Sequence, residues 1–306
     1  MPNVDEMLQA YKADRYLRRA VDIALEERLQ SIARNLWSTD RHGNVVATRD
    51  PNHRKTLLKL YIETLFEQKL RHPTSDLRFD EGQLRASSSK GFLPPRLKSQ
   101  ITFGPQCLAK FGKWQHMISA LKQGRIRVAP ASAYNDPSLN AAQKDEELQH
   151  HVRTPNERID MKLYGRYAPD GEEVEITPQW GELIRYMQVT NFFVWCCGLG
   201  YDSRLFGEFQ AEAALIVLDQ SDFVDRFARA VANQKPNVRF EHRGIGYYDP
   251  YTTRRDQLTP AFSKNLKYLY QNEYRFVWWM PEGETFDPFF VELGSIEDIA
   301  TIVELA

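Results

Sequence analysis

Three cysteines in 306 residues are too few, and too oddly placed, for a disulfide framework. Cys107 stands alone, and Cys196 and Cys197 are adjacent, so in a strand they point to opposite faces. No CxxC pair offers a zinc ribbon. Nothing approaches the ~20 apolar residues of a membrane span. The opening MPNVDEMLQAYKADRYLRRA lacks the basic head and apolar core of a secretion signal. These absences predict a cytoplasmic chain with reduced thiols and no membrane contact. A charge excess is also missing. The 40 basic and 41 acidic residues leave a net charge of -1, which excludes a generally polybasic nucleic-acid binder but not a local positive groove. Glycine and proline, at 16 each, are too sparse for extended low-complexity disorder.

Standard catalytic signatures are absent as well. There is no GxxxxGK[ST], strand-linked GxGxxG, HExxH or GxSxG. Of the seven histidines only His150 and His151 are close, and neighbours without helical or hairpin spacing make a poor ligand pair, so no metal is expected. Cys197 has no histidine nearby, so Cys196 and Cys197 are expected to be structural.

The chain is 42% apolar, ample for a sizeable core. Apolar residues recur at helical spacing from about Asp5 to Trp37, which predicts one long helix. A second helix should start at Asp50-Pro51, with aspartate as cap and proline in the first turn, and end before His72-Pro73. The serine-containing stretch from Arg85 to Gln100 reads as a linker, which predicts proteolytic cleavage there and a separable helical cap or partner surface before it. After residue 100 strands predominate. KWQHMISALKQG is a short helix closed by Gly124, IRVAP a strand, and SAYNDPSLN a polar turn in which Asp136 caps the next few residues. AAQKDEELQHH is charged and expected to be exposed. NFFVWCC and AALIVLD are buried strand candidates, with Gly198, Gly200, Gly244 and Gly246 in loops after or between strands. SDFVDRFARAV is an amphipathic helix capped by Ser221 or Asp222, and one more helix is expected near Phe262 to Leu269. Strand and helix do not alternate regularly, so the fold class is α+β, not a doubly wound sheet.

The most informative segment is YQNEYRFVWW. In a strand starting near Asn272, Glu273 and Arg275 share one face with Val277, while Tyr274, Phe276 and Trp278 take the other. Two charges beside apolar neighbours are a buried pair or an edge-strand salt bridge.

Three segments together resemble a bacterial family catalogued mainly as a domain of unknown function and related in fold to the ADP-ribosyltransferases. They are CLAKFGKWQHMISALKQGRIRVAPASAYNDP (Cys107 to Pro137), NFFVWCCGLGYDSRLFGEF (Asn191 to Phe209) and NEYRF with the closing strand after SIEDI. The resemblance covers about residues 101–306 and leaves residues 1–100 as a helical extension. It implies split mixed or antiparallel sheets and NAD as substrate, with no metal. Where the family usually carries a Tyr-Lys-Tyr-like sequence, Ala109, Lys110 and Phe111 stand. The resemblance implies Glu273 as the catalytic carboxylate, oriented by Arg275. It implies Lys110 or Arg204 at the pyrophosphate and Phe111 in the first strand of the NAD site. Phe206 or Phe209, with Tyr247 or Tyr248 as lesser candidates, would stack on the nicotinamide. The implied activity is ADP-ribosyl transfer to a protein or nucleic-acid target, as in a toxin or anti-phage effector. An NAD glycohydrolase and a non-catalytic interaction protein of the same fold remain open beside it.

Overall fold

A computed structural model describes residues 3–39, 45–48, 50–73, 103, 106–140, 142–144, 147–155, 163–166, 171, 173–176, 181–281 and 283–305. The expected linker from Arg85 to Gln100 lies outside the described residues.

The architecture is α+β with predominantly antiparallel sheets. The N-terminal part holds helices α1 (Val4–Asp14), α2 (Asp22–Asn35) and α3 (Pro51–Arg71), with a small ribbon of β1 (Trp37–Thr39) and β2 (Val45–Ala47). Where one long helix was expected, α1 stops at Arg15, whose left-handed backbone (φ 33) closes the turn through its N–H to Tyr11 O. The break has a packing cause. It lets the adjacent Tyr16 and Leu17 both enter a buried cluster with Tyr11, Leu25 and Tyr251, which one helix face could not do. α3 starts as expected, with the Asp50 carboxylate accepting from the N–H groups of Asn52 and His53.

The body comes next. β3 (Leu108–Gly112), α4 (Trp114–Gln123) and β4 (Arg125–Pro130) lead into a 3-10 turn, Ala131–Asn135. Gly124 closes α4 with φ 61, a conformation that costs other residues dearly. Two antiparallel strand pairs follow, β5 (Gln149–Pro155) with β8 (Glu182–Gln188), and β6 (Leu163–Arg166) with β7 (Glu173–Ile176). After them come β9 (Phe193–Leu199), α5 (Arg204–Phe209), β10 (Ala213–Val217), α6 (Gln220–Gln234), β11 (Arg239–Gly244), β12 (Gly246–Tyr248) and β13 (Ser263–Asn265). β14 (Glu273–Trp279), β15 (Phe289–Glu292) and β16 (Ala300–Glu304) complete the chain. The cap of α6 is Asp219, earlier than Ser221 or Asp222, because its carboxylate reaches Asp222 N–H. The helix expected near Phe262 is instead β13 followed by a 3-10 segment, Leu266–Gln271. Gly198 lies within β9, and Gly244 and Gly246 within β11 and β12, rather than in loops.

The main sheet runs β11-β14-β9-β3-β10-β16, all antiparallel. β10, AALIV, is buried at every position because both faces of the sheet are covered there. On one face α4 and α6 cover Leu108, Trp195, Leu215, Phe276 and Trp278, with Phe223 and Phe227 of α6 packed against Trp195 and Phe276. On the other face α5 packs Leu205 and Phe206 against Ala109, Phe111, Ala214 and Ile216.

The sheet parts along one edge of β9. At its start β9 pairs with β4 through Phe193 and Val194, and at its end with β3 through Gly198 and Leu199. Between these stretches, Trp195 to Cys197 face an opening with no strand partner on that edge among the described residues. A side chain answers the carbonyl left there. The Lys110 ammonium donates to Cys196 O at 2.6 Å and lies over the Trp195 ring.

Candidate functional site

The opening in the sheet forms one wall of a cavity of about 180 Å³. β3 contributes Ala109, Lys110 and Phe111, β9 contributes Cys196, Cys197 and Gly198, and β14 contributes Glu273. The segment after β4 supplies Tyr134, Ala142 and Glu147, and the segment before β14 supplies Lys264 and Gln271. Phe209 of α5 completes the wall.

Strand alternation places Glu273 and Arg275 on the same face, opposite Gly198 and Cys196 of β9. The two are a buried pair, and the pair is half of a larger network. Arg275 Nε donates to Glu273 Oε1 at 2.5 Å, and its Nη2 to Glu147 Oε1 at 2.6 Å. Its Nη1 donates to Ala261 O at 2.8 Å. Lys264 Nζ donates to Glu273 Oε2 at 2.7 Å and stands 3.7 Å from Glu147. All four residues are buried, and Arg275 is 0% exposed. Two carboxylates against two cations balance the charge, which is the condition for keeping ions out of water.

Burial alone would push the Glu273 carboxyl up, but the adjacent Arg275 and Lys264 overcome it and hold it well below the usual carboxylate range. Arg275 is likewise held protonated against burial by Glu147 and Glu273. Glu273 is therefore an ionised carboxylate in the cavity wall, with one cation on each oxygen. Each oxygen keeps a further lone pair for a ligand hydroxyl. The backbone N–H of Glu273 is fixed by donation to the Tyr247 hydroxyl at 2.8 Å. The thiols are of the opposite character. Burial pushes Cys196 and Cys197 up, and the charge of Glu273 adds to it, so neither is a thiolate nucleophile near neutral pH. Tyr134 is raised by burial in the same way and stays a phenol.

Of the residues singled out in the sequence, Glu273, Lys110, Phe111 and Phe209 meet at this cavity. Arg275 does not reach its surface and acts through Glu273 and Glu147, which makes it a positioning residue. Phe206 is 1% exposed inside the apolar cluster behind β3, so it offers no stacking face. Arg204 is drawn to the seam with the N-terminal helices, where its guanidinium donates to Arg34 O and Trp37 O and pairs with Glu208. Tyr247 braces the Glu273 backbone from outside the cavity lining. Sequence reasoning misses Glu147, Lys264, Gln271 and Tyr134. Glu147 belongs to the segment expected to be exposed, and it is 4% exposed because Arg275 needs a second carboxylate. Among the described residues no group of three or more His, Cys, Asp or Glu side chains is placed to hold a metal.

No family model, curated protein or solved structure matches this chain. No described helix is long and apolar enough to cross a membrane.

Proposed function

We propose that the cavity takes the nicotinamide riboside end of NAD and that the chain is an ADP-ribosyltransferase acting on a macromolecule. The observation that carries this is the ionised, doubly held carboxylate of Glu273 in a cavity at the parting of an antiparallel sheet. Breaking the nicotinamide–ribose bond sends its electron pair to nicotinamide and leaves positive charge on the ribose. A fixed carboxylate beside the ribose hydroxyls stabilises that charge, and Lys264 and Arg275 keep it fixed and ionised. A cavity of about 180 Å³ is below the ~300 Å³ lower range of small-molecule sites. It suits one end of a dinucleotide, with the adenylate end lying outside. Lys110 and Phe209 stand at the wall to meet the phosphate and the nicotinamide ring, respectively.

A second function, a non-catalytic interaction protein, has its own observation. Every charge of the Glu147–Arg275–Glu273–Lys264 network is satisfied within the chain, as a purely structural clamp requires. Nicotinamide release from NAD, with calorimetric titration of NAD, separates the two. For an enzyme, Glu273→Gln keeps NAD binding and slows release by about a hundredfold or more. Absence of NAD binding by the wild type, with cell extract supplying acceptors, leaves the interaction protein as the better account.

A further inference from the structure

Away from the cavity, β5, β8 and the loop after Asp249 enclose an open groove of about 650 Å³. Arg153, Arg185, Arg254 and Arg255 line it, against one lining carboxylate, Asp256. The whole chain is nearly neutral, at -1, so this is a local excess that composition does not explain. Arg153 is pinned by Glu182 at 3.0 Å and Arg254 by Asp256 at 2.8 Å. A guanidinium has five N–H donors, so a single ion pair leaves most of them available. Arg185 and Arg255 are exposed, and no carboxylate among the described residues engages either. The Thr252 and Thr253 hydroxyls add small polar donors to the same lining.

Thr253 also lines a second groove of about 350 Å³ that runs past Arg243 and the exposed backbone of Gly244 and Gly246. Arg243 lies over the Phe262 ring, 4.3 Å from its centroid, which restrains the guanidinium. Five arginines therefore border two grooves that meet at one residue.

We propose that this track binds the phosphate backbone of a nucleic-acid strand. Separated guanidiniums and hydroxyls along an open groove suit a repeating anion, since phosphate contacts of this kind position a chain without reading its bases. A single small phosphate compound would need its donors converged in one groove, whereas these arginines are divided between two. The inference does not rest on the NAD proposal. If both hold, the bound strand is the candidate acceptor.

The test is fluorescence anisotropy of labelled single-stranded RNA and DNA oligonucleotides with the full chain, from about 50 mM to 200 mM salt. Wild type should bind, with affinity falling steeply as salt rises. Arg185→Glu with Arg255→Glu should weaken binding about tenfold or more and flatten the salt slope by roughly 0.7 per lost contact. Lys122→Glu, an exposed change on α4 outside both grooves, should leave it unchanged. Both arginines are exposed, so a melting curve like that of the wild type should confirm intact folding. The proposal is overturned if neither oligonucleotide binds at low salt, if the double change leaves binding intact, or if polyglutamate binds as tightly, which would assign the groove to acidic peptides.

Discussion

Replacing Arg275 with methionine keeps much of the side-chain volume and removes the charge that joins both carboxylates of the network. Glu147 loses contacts at 2.5 and 2.6 Å, Glu273 loses one at 2.5 Å, and Ala261 O loses its 2.8 Å donor. Lys264 alone is then left between two buried carboxylates, 2.7 Å from one and 3.7 Å from the other. An uncompensated buried charge costs about 3–5 kcal/mol. Arg275→Met should lose that much in urea unfolding at neutral pH. A second change checks the magnitude. Glu147→Gln in the Arg275→Met background removes the surplus negative charge and leaves Lys264 and Glu273 as a neutral pair. The double variant should then be more stable than the sum of the two losses by about 0.5–3 kcal/mol. A loss below about 1 kcal/mol for Arg275→Met, or strict additivity of the pair, would falsify the claim that charge balance holds this site together.

The same reasoning gives a pH dependence. Glu273 and Glu67 both have folded-state values below the ordinary glutamate value of 4.5, so their contribution is complete above 4.5 and is lost as the pH falls below it. For Glu67, burial opposes this, and Arg15, Arg71 and the Tyr11 hydroxyl outweigh it. Urea midpoints should decline progressively below about pH 4.5, and a flat profile to about pH 3 would contradict the assignment. At the seam, Arg28 grips Asp249 by two hydrogen bonds of 2.6 Å with both residues buried, so Asp249→Asn should cost about 3–5 kcal/mol. A change under about 1 kcal/mol in the same unfolding assay would show that the pair contributes little. At Gly198, an added Cβ would meet only ordinary contacts at 3.5, 3.5 and 3.6 Å. Gly198→Ala should therefore keep stability or raise it by about 0.4–1 kcal/mol, while its methyl crowds the cavity wall and weakens NAD in calorimetry. Undiminished NAD affinity would place the ligand elsewhere.

The parts of the fold legible in the sequence are those fixed by local chemistry. β14 shows its two faces in EYRFVWW, β10 its double burial in AALIV, and α3 its start in Asp50-Pro51. The charged members of the site are legible only in part, because burial of a charge is decided by partners distant in sequence. Arg275 and Glu273 lie two residues apart and are visible as a pair, whereas Glu147 reaches Arg275 across 128 residues. AAQKDEELQHH has the composition of a wet surface, and nothing local distinguishes Glu147 from its neighbours. Lys264 is hidden differently. Its surroundings read as a helix, and only the parallel pairing of β12 with β13 shows the lysine turned toward Glu273. The break between α1 and α2 escapes periodicity because Tyr16 and Leu17 fit a helical stripe almost as well as a turn.

The N-terminal helices bear on the cavity through the segment that delivers Glu273 to it. The Asn35 side chain, at the end of α2, donates to Leu266 O and Lys267 O at 3.1 and 3.2 Å and accepts the Tyr270 N–H at 2.6 Å. Those three groups span the 3-10 segment that ends at Gln271, one residue before the left-handed Asn272 and two before Glu273. Ile32, Leu36, Leu57 and Leu60 pack on Leu269 of the same segment. Gln271 in turn donates to Ala142 O at 2.8 Å, which ties the segment to the chain a few residues before Glu147. A 3-10 stretch has weaker internal hydrogen bonds than an α-helix and needs outside partners to hold its geometry. Here α2 supplies them. The strand start that must aim Glu273 at the cavity is therefore set from the helical side of the molecule as much as from the sheet.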